Sequence, residues 1–397
     1  MKKRILLLAI LSFTIFPITH AQIAVKADTL YTMEGAKITD GVVLVKGDKI
    51  EAVGSASDIQ IPSDYQVHEA SVVTPGFIDA HSVVGLAGIF NQDHDQDQLE
   101  KSNAIQPQLR AFVAYNAREE LVKFVLNKGV TTTHTGHGPG ALASGQTMIA
   151  KTAYNTVGEA LVDSATTVAF TLGTAVGQYF DKPGTRSKGV AMLRQKFIDA
   201  RDYAEKRNSD DSPSKNLKLE ALADVLDGKL TALITAHRAQ DIMTALRLKK
   251  EFGFDMILDG AAEAYLLLDE LKKSGVPVFI HPTMIRTNGD AKNASFTTAA
   301  KLHEAGIPFA FQSGFESYVP KTRIVLYEAA VAAAHGLPHD AALDALTKNP
   351  AQLLNIDANV GSLKEGKDAD IVLFDGDPLE YTTHITSVIV DGKVIKE

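Results

Sequence analysis

Between Gly76 and Ser313 the chain repeats one pattern: a short β-rich apolar run, then a stretch with helical periodicity, then another run. Eight such runs are readable, at 76–81, 130–134, 147–151, 166–172, 231–237, 254–259, 276–281 and 307–313. Helical stretches such as Asp241–Phe252, Ala262–Ser274 and Lys321–His335 lie between most of them. Alternating strands and helices of this number predict an α/β fold with eight parallel strands, a (β/α)₈ TIM-like barrel. Both ends read differently. Gly41–Val45, Lys49–Val53, Asp370–Phe374 and Thr386–Val390 are strands punctuated by Asp40-Gly41, Gly47-Asp48 and Asp391-Gly392 turns. A small β-sandwich built from both termini is therefore expected, from 22–73 and 353–397, around a barrel of 74–352.

The first 21 residues form a separate unit. Lys2, Lys3 and Arg4 precede an apolar run from Ile5 to Ile15, and Thr19-His20-Ala21 is a small-residue cleavage site. That run is too short to span about 30 Å of hydrocarbon, so the pattern predicts a cleaved signal peptide and no membrane anchor. The chain has no Cys, which excludes disulfides, thiolate nucleophiles and a lipid-modified N-terminal Cys. A soluble periplasmic or secreted protein is expected. Any metal ligands must be His, carboxylate or a modified Lys. The net charge of −8 is spread without basic blocks, which argues against a nucleic-acid partner.

Several motifs, in order, resemble the amidohydrolase superfamily, with the imidazolonepropionase-like branch nearest in flavour. They are Thr74-Pro75-Gly76-Phe77-Ile78-Asp79-Ala80-His81, Gly129-Val130-Thr131-Thr132, Ala236–Ile242, Glu263-Ala264-Tyr265 and Val360–Asp370. The resemblance implies a barrel with an appended sandwich and hydrolysis of a carbon–nitrogen bond in a small molecule. It also implies one or two zinc-like ions held by two His of strand 1, His from strands 5 and 6, and an Asp of strand 8. His81 and His237 fall on two of those positions. The others fall on Val83, Gly260 and Gly314, none of which offers a side-chain donor atom.

His81, His134, His137, His237 and His281 nevertheless all fall at or just after expected strand ends, where barrel enzymes build their sites. The sharper expectation is a relocated mononuclear zinc-like site of His81, His237 and a third imidazole, His281 or His134. The plainer one is that some of these rings are hydrogen-bonded packing residues. Asp259 and Glu316 are candidate bases. Lys151 is a candidate carboxylated bridge, a cation for a substrate carboxylate, or a structural lysine. The glycine-rich run 133–140 suits either an anion-binding loop or a tight turn. Asn91–Glu100 reads as a solvated acidic loop or a lid, and Arg238 and Arg323 as carboxylate-binding or surface residues. Two functions follow: an exported amidohydrolase-like hydrolase of a non-peptide or cyclic amide, or a catalytically silent barrel. The silent form would bind a small solute or pair with an active paralogue, and a homo-oligomer is plausible for either.

Overall fold

The computed structural model describes residues 22–90, 92–207, 213–281, 283, 288–314 and 324–396. The expected signal peptide therefore lies outside the described residues. The chain opens with β1 (Gln22–Leu30), β2 (Ile38–Lys46), β3 (Lys49–Ser55) and β4 (Gln66–Pro75). The middle contributes β5 (Phe77–Ser82), β6 (Val130–Thr135), β7 (Ala143–Gln146), β8 (Met148–Lys151), β9 (Leu161–Asp163) and β10 (Thr167–Thr171). It continues through β11 (Thr231–Ala236), β12 (Met256–Gly260), β13 (Val278–Ile280) and β14 (Phe309–Phe311). The chain then ends in β15 (Ile371–Phe374), β16 (Ile385–Val390) and β17 (Lys393–Lys396).

Strands from both termini share one seven-stranded sheet, ordered β17-β16-β15-β4-β1-β2-β3. The joint is the antiparallel pairing of β4 with β15, Pro75 opposite Ile371 and Val72 opposite Phe374. Strand alternation gives this sheet an apolar side chain on each face. Ile23, Val25, Val43 and Val45 pack with Ile371 and Leu373, whereas Ala24, Val42 and Leu44 pack with Tyr65.

The middle forms a six-stranded sheet, β14-β13-β12-β11-β10-β7, and a four-stranded one, β5-β6-β8-β9. Strands β10 to β14 are mutually parallel, as are β5 and β6. The expectation of eight parallel strands needs one correction. The third run is β8, preceded by the additional strand β7; β8 runs antiparallel to β6 and β7 antiparallel to β10. The two sheets meet at an isolated bridge between Ser82 and Gly314. They also share a core: Ile78 and Ile149 from the smaller sheet pack with Leu233, Ile257, Phe279 and Ala310 from the larger.

The reversed third strand relocates Lys151. Its register sets Lys151 opposite Thr132, near the start of β6, so its side chain leaves at the end facing the terminal sheet. There Nζ lies 2.8 Å from Asp370, 2.9 Å from Asp391 and 3.0 Å from Asp368. Burial alone would disfavour the ammonium, but the three carboxylates outweigh it and hold Lys151 charged. Removing one partner of a buried ion pair leaves the other charge without compensation. Lys151→Met should cost about 3–5 kcal/mol in urea unfolding, whereas Lys26→Met at the exposed Lys26–Glu69 pair should change little. A near-neutral Lys151→Met would show that the cluster does not hold the two parts together.

Candidate functional site

Beyond the shared apolar layer, the next inward positions of the strands turn polar, two residues further along each chain. Leu233 is followed by Thr235 and Ile257 by Asp259, and Ala310 is followed by Gln312. All three are buried, as is His81 at the end of β5. They converge on the Asp259 carboxylate. His81 Nδ1 lies 3.0 Å from Oδ1, Gln312 Nε2 donates to the same oxygen at 2.5 Å, and Thr235 Oγ1 donates to Oδ2 at 2.6 Å. A carboxylate only accepts, so the His81 proton on this side sits on Nδ1. Its other nitrogen, Nε2, is buried and makes no well-formed hydrogen bond among the described residues, though the His137 backbone favours its protonated form.

The charges follow from these contacts. Burial presses the His81 pKa down, but the Asp259 carboxylate and its hydrogen bond outweigh this, and the net shift is upward. Burial presses Asp259 up, yet His81 and Thr235 hold it below the ordinary carboxylate range. Asp79, two residues before His81, accepts from the Ser313 and His81 amides at 3.0 and 3.3 Å. Its burial pushes it up to about 7 despite those bonds.

The remaining imidazoles have other hydrogen-bond or packing partners. His134 is fully engaged: Nδ1 donates to the Ala80 carbonyl and Nε2 accepts from Thr147 Oγ1, both at 2.6 Å. Burial, with the His81 charge nearby, drives it down to about 3, so it is a neutral packing residue. His137 is buried with neither ring nitrogen bonded among the described residues, against Gly145, and burial lowers it to about 4. His237, half-buried, packs its ring on Gly260, where an added Cβ would stand 2.5 Å from Cε1. Burial also lowers its pKa, against the pull of Asp259, Asp290 and Asp241. His281 packs on Gly314 in the same way, 2.8 Å from an added Cβ.

The two glycines stand where the resemblance puts a His and an Asp, and neighbouring imidazoles fill the space those side chains would take. No group of three or more His, Asp or Glu that could hold a metal exists among the described residues. The relocated site expected from His81, His237 and His281 or His134 is thus not formed among the described residues. His81 turns Nδ1 to Asp259, His134 has both nitrogens engaged, and glycine vacancies set the other two rings. His81 Nε2 stays uncommitted by a well-formed hydrogen bond, but the described residues offer no group of three donors around one point.

Other candidates fall elsewhere. Lys151 belongs to the ion cluster beside the terminal sheet, which agrees with a structural lysine and not with a bridge or base. Glu316 and Arg323 lie outside the described residues. Asp93–Asp95 form an exposed 3-10 turn. Glu263 accepts from the Ala239 amide and Asn293 Nδ2, both at 2.6 Å, and so fixes the start of the helix Ala239–Phe252. Sequence reasoning missed Thr235 and Gln312. Their signal was a polar residue two places beyond a core position on neighbouring strands.

Gly260 has φ +77°, which any L side chain resists. Gly260→Ala should cost more than Gly275→Ala, whose φ of +65° is similar but whose Cβ meets nothing within 4 Å. In a His237→Ala background the excess should vanish, giving a coupling of at least about 0.5 kcal/mol in a double-mutant cycle. Additive losses would mean that the ring does not fill the vacancy.

Known proteins share this arrangement of elements. Residues 256–396 match the model of the Amidohydrolase family. The chain is 23% identical to Amidohydrolase tasK of Hapsidospora irregularis, an alignment that covers 89% of this chain but 39% of that protein's length. It is 22% identical to an imidazolonepropionase of Alkaliphilus oremlandii, with 91% of each chain covered. Among solved structures, an amidohydrolase from Thermotoga maritima superposes with a TM-score of 0.87 at 28% identity, covering 94% of this chain and 99% of the other.

Proposed function

We propose that this chain, which resembles the amidohydrolase superfamily from its first strand motif to its last sheet, is a hydrolase of a carbon–nitrogen bond. The substrate class is a small non-peptide amide or cyclic amide. The observation that carries the reading is the Asp259–His81 pair, with Nδ1 fixed by the carboxylate and Nε2 a buried ring nitrogen that makes no well-formed hydrogen bond among the described residues, its protonated form favoured by the His137 backbone. An unsatisfied buried polar atom is costly unless something is there to meet it. On this reading the four- and six-stranded sheets are arcs of one (β/α)₈-type barrel of 74–352. The terminal sheet belongs to a sandwich of 22–73 and 353–397, and the first 21 residues direct export. A homo-oligomer, or pairing with a related amidohydrolase, suits the same reading.

The pair supplies proton chemistry. With a proton on Nε2, His81 donates a hydrogen bond to the substrate carbonyl oxygen and so favours addition of water to the carbonyl carbon. Collapse of the adduct breaks the C–N bond, and the nitrogen departs with the His81 proton. The added water oxygen then returns a proton to Nε2, leaving a carboxylic acid, an amine and His81 as it began. Asp259 stabilises the ring through the cycle, and Thr235 and Gln312 hold Asp259 in place. Nε2 is covered, so the substrate must displace a neighbouring side chain to reach it.

Purified protein should cleave the C–N bond of at least one member of a panel of N-acyl amino acids, hydantoins and lactams, releasing an amine from the first class and opening the ring of the other two. Asp259→Asn should lower kcat/KM by about 10²–10⁴, and prior EDTA treatment should leave the rate unchanged. A rate abolished by EDTA and restored by zinc would contradict the pair as the centre. No turnover across the panel, with a ligand still bound, would support the silent barrel, which the imidazole-filled vacancies at Gly260 and Gly314 also favour.

A further inference from the structure

A second polar cavity opens next to this site and has no role in the scheme above. It measures about 160 Å³, near the volume that holds a benzene ring. Gly173 and Thr174 follow β10 on one side, Asp241 and Thr244 of the helix Ala239–Phe252 lie on another, and Arg186 closes it. Arg186 Nε donates to Asp241 Oδ1 at 2.8 Å, and its Nη2 lies 3.3 Å from Asp290 Oδ1. The Thr174 amide and Oγ1 donate to Asp290 Oδ2 at 2.6 and 2.7 Å.

One acceptor is left over. Asp241 is 3% exposed, yet its Oδ2 has no hydrogen-bond partner among the described residues. It faces the Gly173 Cα, where an added Cβ would lie 3.2 Å from it and 2.7 Å from Asp290 Oδ2. Glycine at 173, with φ +107°, leaves no side chain over this oxygen on the cavity side, and because Oδ2 itself is covered a ligand reaches it only when a lining side chain shifts. The lining carries one cation, Arg186, and one carboxylate, Asp241, and Arg186 is shared with a second carboxylate, Asp290, which lies beside the lining. A buried carboxylate oxygen without a hydrogen-bond donor, beside an arginine shared between two carboxylates, is met best by a cation that donates hydrogen bonds.

We propose that the Arg186–Asp241–Asp290 cavity is a binding site for a cationic nitrogen group, an alkylammonium or a guanidinium, whose N–H bonds to Asp241 Oδ2. The Asp241 and Asp290 carboxylates also act on His237, so the cavity adjoins the imidazole cluster. As a substrate subsite it rests on the hydrolase reading, but binding is measured without turnover and stands or falls separately.

The test is calorimetric titration of the full chain with n-butylammonium, n-butylguanidinium, n-butanol and butyrate. One of the two cations should bind at one site, with butanol and butyrate at least tenfold weaker. Asp241→Asn keeps an acceptor for Arg186 and places an amide where Oδ2 stood, and it should weaken cation binding at least tenfold. Val190→Phe, which fills the cavity from the helix Arg186–Lys206, should abolish binding while the unfolding midpoint shows an intact fold. Equal binding of butanol and the cations, or binding unchanged in both variants, overturns the proposal. So does the absence of binding by either cation to the unsubstituted chain.

Discussion

Burying a carboxylate among strands demands that hydrogen-bond donors surround it, and Asp259 imposes that demand on four strands at once. His81 on β5, Thr235 on β11 and Gln312 just past β14 all bond the carboxylate carried on β12. The interaction fixes the orientation of one imidazole and its Nδ1 proton. It also ties the four-stranded sheet to the six-stranded one through polar contacts, above the apolar layer of Ile78, Leu233, Ile257 and Phe279. An ion pair inside a protein is weak support for stability taken alone, because desolvation offsets attraction. Its value here is specificity of geometry at the place where the chemistry is proposed.

The second constraint is packing. Protein interiors leave few voids larger than a water molecule, so a lost side chain is replaced by something. At Gly260 and Gly314 the replacement is an imidazole from the adjoining strand end, His237 in one case and His281 in the other. Those rings therefore take directions set by the vacancies and not by a common ion. Where the resemblance expects donor side chains, glycine leaves space, and the neighbouring rings occupy it.

Much of this architecture is legible in the sequence. Apolar runs of period two, separated by helical stretches, place the middle strands close to where they occur, and the Ile78-Asp79-Ala80-His81 motif leads straight to the central imidazole. Strand direction is not legible, because a hydrophobic alternation reads the same either way. The third run is antiparallel, and that single fact moves Lys151 from an expected strand mouth to an ion cluster beside the terminal sheet. The pairing of His81 with Asp259 spans 178 residues and depends on inter-strand register that no local pattern encodes. The histidines that cluster on the chain are partly neighbours in space, the His81 and His134 rings lying 5.7 Å apart, but they do not share one set of partners. His134 is consumed by Ala80 and Thr147, a hydrogen-bonding fate that depends on a neighbouring strand's Thr.

Nitrogen-15 NMR of the histidine side chains, followed during a zinc titration of chelator-treated protein, addresses the central claim most directly. The account predicts an Nδ1–H resonance of His81 shifted far downfield by Asp259, with His81 and His237 unmoved at one equivalent of zinc. Simultaneous zinc-induced shifts of His81 and His237 at one equivalent, with loss of that Nδ1–H signal, would contradict it.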